Sequence, residues 1–206
     1  PADWPHDTHV TGYWFPPDEV WRPPESLVNF LDAGPPPVFV GFGSMPVTDP
    51  RPTTKMVVEA TRAGRHRIII QAGWAGLGQS ALPAHIYRLE YAPYSWLFPR
   101  MSAVIHHGGS GTTAAGLRAG RPGLVASFTF DQGFWGRRLA ALGVGLPPIP
   151  FRRLTTSRLA EALDQLVTDE NVNARATELG RKVHAEDGIG TAVRLIEAFL
   201  DRPAPV

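Results

Sequence analysis

Four short apolar runs constrain this chain more than any other feature. They are Val38-Phe-Val-Gly-Phe-Gly43, Arg67-Ile-Ile-Ile-Gln-Ala72, Ala103-Val-Ile-His106 and Gly123-Leu-Val-Ala126. None alternates apolar with polar residues, and a strand without a polar face has to be covered on both sides. Helical stretches separate them: Pro52 to Ala63, and Gly111 to Ala119, the latter ended by Gly120, with Pro122 opening the next strand. Tyr87-Arg-Leu-Glu90 reads as a further short strand, Ser95 to Arg100 as a helical turn, and the run through Trp135 to Leu142 as a helix. Strands alternating with helices predict an α/β fold, a Rossmann-like open parallel sheet with helices on both faces. The last third is helical: Leu159, Leu163, Leu166 and Val167 form one stripe and Ala192, Leu195, Ile196, Phe199 and Leu200 another. Both stripes are expected to pack on the sheet.

The residues ahead of these runs are different in kind. Nine prolines fall within residues 1–37, ending in Pro35-Pro36-Pro37. Proline fixes φ and removes backbone donors, so residues 1–37 are expected to form an extended interdomain arm with one short helix near Glu25–Ala33. The arm's aromatics, Trp4, Tyr13, Trp14, Phe15 and Trp21, suggest that it lies against a surface. Residues 38–206 form the second region, a ligand-binding domain. The first residue is Pro1 rather than Met, which fits a processed product or part of something longer.

Charge and composition exclude several functions. Lys plus Arg number 20 against 19 Asp plus Glu, so no basic field exists to hold a nucleic acid. Cysteine is absent, which removes a disulfide scaffold, a Cys nucleophile and thiolate metal sites. No apolar run reaches the roughly 20 residues of a membrane span, and no signal peptide precedes the first motif.

The richest chemistry lies in Val104-Ile-His-His-Gly-Gly-Ser-Gly-Thr-Thr113. A strand runs into a glycine turn that opens a helix, so unpaired N–H groups converge at the positive end of a helix dipole, a geometry that binds phosphate. Gly108, Gly109 and Gly111 permit close approach, Ser110 and Thr112 add hydroxyls, and His106 or His107 adds a ring donor. Strand alternation points the two imidazoles to opposite sides, so one of them meets the ligand. A second glycine-rich strand end, Gly41-Phe-Gly43-Ser44-Met45, should share the same sheet edge and bring Ser44 to that anion. Asp131-Gln132, after the last strand, offers a carboxylate and an amide suited to vicinal sugar hydroxyls, with a helix N-cap by Asp131 as the plainer reading. Tyr91-Ala-Pro-Tyr-Ser-Trp96 suits an aromatic base. Asp-x-Asp, the P-loop pattern and Gly-x-Ser-x-Gly are all absent, and His6 with His9 lacks any further ligand for a metal.

Together His106-His-Gly-Gly-Ser-Gly-Thr-Thr113, Gly120-Arg-Pro122 and Asp131-Gln132 resemble the donor-binding signature of the GT-B nucleotide-sugar glycosyltransferases. Val40-Gly-Phe-Gly-Ser-Met45, Ala72-Gly-Trp-Ala-Gly76, Ser95-Trp-Leu-Phe98 and Ala141-Leu-Gly-Val-Gly145 are similar to the version in sterol 3β-glucosyltransferases and the bacterial enzymes of antibiotic biosynthesis. The resemblance implies the C-terminal half of a GT-B fold, an inverting transferase that moves a hexose, glucose by the sterol-type likeness, from UDP-sugar or dTDP-sugar. It implies that His106, His107, Gly108, Gly109, Ser110, Gly111, Thr112 and Ser44 hold the diphosphate. Tyr91 and Ala92, with Trp96 nearby, would hold the base, and Asp131 and Gln132 the sugar. No metal and no further cofactor are implied. An N-terminal acceptor domain, in the same chain or another, would bind a lipophilic hydroxyl acceptor and supply the catalytic base. The implied location is cytoplasmic, any membrane contact being left to that other domain. Where plant relatives place a ribose-gripping Glu, this sequence reads Thr113-Ala114-Ala115.

Two other readings stand beside it. Gly109-x-Gly111-x-x-Ala114 with Asp131 downstream formally matches the dinucleotide fingerprint of an NAD(P)-dependent oxidoreductase. A non-catalytic subunit whose aromatic arm docks on a separate acceptor chain is the third.

Overall fold

The computed structural model describes residues 4–5, 7–17, 20–45, 47–62, 66–74 and 76–201. His6, the expected helix end at Ala63, and Ala75 of the Ala72–Gly76 run lie outside them. Six strands form one sheet: β1 (Val38–Gly41), β2 (Ile68–Gln71), β3 (Ile86–Leu89), β4 (Ala103–His106), β5 (Gly123–Ser127) and β6 (Ile149–Pro150). All pairings are parallel and the order is β3-β2-β1-β4-β5-β6. The helices are α1 (Glu25–Asp32), α2 (Pro50–Ala60), α3 (Tyr94–Leu97), α4 (Ser110–Arg118), α5 (Gln132–Ala141), α6 (Thr156–Thr168), α7 (Glu170–His184) and α8 (Gly188–Leu200). The expected strands and helices appear within a few residues of their predicted ends. The two-residue β6 was not anticipated.

The apolar strands are covered on both sides, as their composition requires. On one face Val38, Val40, Ile68, Ile70, Ile105, Leu124 and Ala126 meet Val57 of α2 and Leu159, Leu163 and Leu166 of α6. On the other, Phe39, Ile69 and Val104 meet Leu27 of α1, Leu97, Phe98 and Met101. Val125 on that same side packs with Leu117 of α4, Leu139 of α5 and Val183 of α7. Residues successive in a strand thus reach opposite layers.

The second C-terminal stripe departs from expectation. Ala192 is buried, but Ile196, Phe199 and Leu200 are exposed. With α6 on one face and α1, α4, α5 and α7 on the other, the sheet has no surface left for α8, which instead lies beside the arm at Gly12 and Tyr13. Among its described residues the arm has no helix or strand besides α1. Its Tyr13, Phe15 and Trp21 pack against the domain, while Trp4 and Trp14 are exposed.

Candidate nucleotide-sugar site

Strand order reverses between β1 and β4, which are paired so that Gly41 stands opposite His106. Sheets of this kind leave a crevice beyond the carboxyl ends of two such strands, where ligands of open α/β folds bind. Helix α4 starts there, and like α1 and α5 it lacks a capping side chain at its N-terminus. Asp49, Thr155, Asp169 and Asp187 cap α2, α6, α7 and α8 through side-chain oxygens, whereas α4 has Gly109 at its N-cap and no capping side chain. Its first N–H groups are therefore directed at the crevice. Thr113 is turned inward, its hydroxyl donating to Gly109 O at 2.9 Å.

The two histidines divide as strand alternation predicts. Their rings stand 6.3 Å apart at 89°. His106 is buried, and its Nδ1 accepts the Gly108 N–H at 3.1 Å. Burial, aided by the neighbouring His107, pushes its pKa down to about 3, so it is a neutral structural ring. His107 is half-buried at the crevice, its pKa lowered by burial and opposed by the Asp131 carboxylate. Side chains at Gly43 and Gly109 would strike its ring, at 3.0 Å from Cε1 and 2.5 Å from Nε2 respectively. Those two glycines reserve the slot in which His107 sits, and Nδ1 of His107 has no protein hydrogen-bond partner there. Ser44 is exposed in the β1 turn next to that slot.

Gly108, at φ +94°, lies so close to Gln132 that an added Cβ would stand 2.8 Å from its carbonyl oxygen. This contact brings the Asp131-Gln132 pair to the histidine turn. The two side chains then part. Asp131 is exposed and accepts the Trp135 indole N–H at 2.7 Å; it occupies the N-cap position of α5 without making a capping bond. Gln132 differs from expectation: it is buried, its Oε1 accepting N–H groups of Phe128 (2.7 Å) and Thr129 (3.1 Å) and its amide nitrogen reaching Met45 Sδ at 3.2 Å. The β5–α5 turn folds over this amide, which braces the loop and ties it to the β1 turn. Phe130, between them, has φ 52° and is 92% exposed.

A cleft of about 670 Å³ continues from Ser110 and Gly111 along α4, past Ala114 and Ala115, to Arg118. Its opposite side is the Tyr91–Ser95 loop, with Gln71 from β2 and residues 13–17 of the arm. Tyr91 is half-exposed and Ala92 buried at its edge. Trp96 does not reach it. Two residues after Tyr94 on a one-turn helix, it points the other way, stacking edge-on against Trp21 at 5.0 Å and lying under Arg100. Tyr94 occupies the position expected for Trp96: its hydroxyl donates to Gln71 Oε1 at 2.8 Å and is also bonded to Thr112, and burial raises its pKa. Gln71 and Arg118 carry no local motif in the sequence; Tyr94 stood within the aromatic loop and the arm aromatics were expected against a surface, but none of these was singled out as a site residue. No group of three or more His, Asp or Glu side chains that could hold a metal ion occurs among the described residues.

The family described as erythromycin biosynthesis protein CIII-like, C-terminal domain, matches residues 55–197. The chain belongs to this family. It is 41% identical over 196 residues to a sterol 3-beta-glucosyltransferase, UGT80A2, of Arabidopsis thaliana, covering 94% of this chain and 31% of the relative. It is 41% identical to O-mycaminosyltylonolide 6-deoxyallosyltransferase of Streptomyces fradiae, with 98% of this chain and 47% of the relative covered. The chain thus spans less than half the length of these curated relatives. Among solved structures, the glycosyltransferase of kitacinnamycin superposes with a TM-score of 0.72 at 24% identity, covering 90% of this chain and 46% of that one. The glycosyltransferase VinC, solved in complex with dTDP, superposes at 0.64 and 24% identity over 82% of this chain and 44% of that one. These likenesses establish the fold as one half of the GT-B arrangement.

Proposed function

We propose that this glycosyltransferase domain binds the nucleoside diphosphate of a sugar donor, UDP-sugar or dTDP-sugar. Together with an acceptor domain it transfers a hexose to a hydroxyl of a sterol-like or natural-product acceptor. The observation that carries this reading is the uncapped N-terminus of α4, with His107 slotted beside it, opening into the cleft that ends at the Tyr91–Ser95 loop. The diphosphate lies on the α4 N–H groups with Ser110, Thr112, Ser44 and His107 around it. The base lies along Tyr91 and Ala92, and the sugar hydroxyls meet Asp131, whose loop Gln132 braces.

In transfer, the acceptor oxygen attacks the anomeric carbon, its proton passes to a base in the other domain, and the bond to the diphosphate breaks with inversion. Negative charge grows on the leaving diphosphate. The helix dipole, the backbone donors and a His107 N–H stabilise it, so no divalent metal is needed. None of this chain's residues serves as the base, so the domain alone binds donor without transferring sugar. Calorimetric titration with UDP, dTDP, UDP-glucose and NAD, without added metal, tests the reading. Saturable binding of a pyrimidine nucleotide that is lost in His107→Ala is expected, and binding of NAD alone would overturn it.

A further inference from the structure

One wall of the cleft has no role in the reading above. The arm borders the cleft, and contacts hold it at Tyr13 and at Trp21. The Tyr13 N–H donates to Glu186 Oε2 at 3.3 Å, and the Tyr13 carbonyl lies where a side chain at Gly188, the first residue of α8, would stand. Trp21 packs on Trp96. Between these anchors Tyr13 to Pro17 line the cleft, and the Arg118 guanidinium lies 4.4 Å from the centre of the Phe15 ring.

Arg118 ends α4, eight residues beyond Ser110, which is about 12 Å at helical rise. That distance matches the reach from a diphosphate to the far side of its nucleoside. The wall between them is Ala114 and Ala115, without a polar side-chain atom, so Arg118 is the one charged group that α4 offers to the cleft. A guanidinium carbon over an aromatic ring leaves N–H groups to donate to planar oxygen acceptors. Trp14, 64% exposed with its indole N–H held by Thr11 Oγ1 at 2.9 Å, adds a flat apolar surface to the same wall.

We infer that the arm completes the nucleoside subsite: Phe15 positions Arg118, whose N–H groups donate to the carbonyl and hydroxyl oxygens of a pyrimidine nucleoside, while Trp14 shields it from water. This inference rests on the nucleotide-sugar reading of the same cleft. It makes nucleotide binding and arm docking thermodynamically linked, each strengthening the other.

The test uses the whole 206-residue chain. UDP is the probe of the full site and inorganic pyrophosphate the probe of its phosphate end. Arg118→Gln and Phe15→Ala should each weaken UDP roughly tenfold to a hundredfold, the loss expected for one charged hydrogen-bonding group, and leave pyrophosphate within about twofold. Phe15→Trp, which keeps the ring under the guanidinium, should restore UDP binding, and it decides the case where pyrophosphate binds too weakly to compare. Unchanged UDP affinity in Arg118→Gln and Phe15→Ala overturns the inference and leaves the nucleotide reading intact. A parallel loss of both probes with a lowered unfolding temperature, and no rescue by Trp, also overturns it, reducing the arm to structural support. If the unmodified chain binds neither UDP nor dTDP, both fall together.

Discussion

The turns that follow β4 and β5 lie side by side on one edge of the sheet and are built on opposite plans. The β4 turn removes side chains. Gly108 takes φ +94° with Val125 and Gln132 pressed behind it, and Gly109 leaves room for the His107 ring. The β5 turn keeps a large side chain where the backbone favours glycine, for Phe130 sits at φ 52° with its ring in solvent. It is braced from inside by the Gln132 amide and presents Asp131 outward. A turn that binds through its backbone needs closeness and a packed back. One that offers side chains tolerates local strain if a buried group holds its shape.

That contrast can be broken in four places. The largest effect is expected for Gly108→Ala, whose Cβ would stand 2.6 Å from Val125 Cγ1 and 2.8 Å from Gln132 O at a strained φ. A loss of more than about 3 kcal/mol in denaturant unfolding is expected, and an unmoved midpoint would show the β4 turn to be loosely packed. Next comes acid. The unfolded chain protonates His106 near pH 6.5, whereas the folded chain resists until about pH 3, so stability should fall as pH drops through that window. His106→Asn, which keeps an acceptor for the Gly108 N–H, should flatten the slope by up to about 1.4 kcal/mol per pH unit. Unfolding curves at several pH values in both proteins check this.

On the β5 side, Gln132→Leu removes the acceptor of two backbone N–H groups and should cost about 1–3 kcal/mol. Faster hydrogen exchange at Phe128 and Thr129 would locate the damage in that turn, and unchanged exchange would deny the brace. The smallest effect has the opposite sign. Phe130→Gly relieves a left-handed conformation without removing packing, so stability should rise by about 1 kcal/mol. A fall in unfolding temperature would mean that the exposed ring supports the turn after all.

The order of strands and helices was legible because it follows from short-range pattern: apolar four-residue runs have to be buried on two faces, and glycines and prolines mark their ends. The glycine turn that opens α4 was legible for the same reason, since strand, glycines and helix start lie within ten consecutive residues. Even the split between the histidines followed from strand alternation, though only packing showed that His106 is the enclosed ring and His107 the one at the crevice.

What the sequence left open depends on which distant element arrives at a given place. Trp96 and Tyr94 are equally aromatic in one loop, and the arm's Trp21 on one side and β2's Gln71 on the other decide which of them borders the cleft. Gln132 beside Asp131 read as a second sugar contact until the β5 turn closed over it. The final stripe looked like core until two sheet faces proved to be already covered, leaving Phe199 and Leu200 exposed. Arg118 carries no motif and became a cleft residue only when the arm laid Phe15 beside it. Pattern along the chain determines which residues must be hidden and where the backbone must turn. Contacts between residues distant along the chain determine what each turn faces, and packing of whole elements sets those contacts.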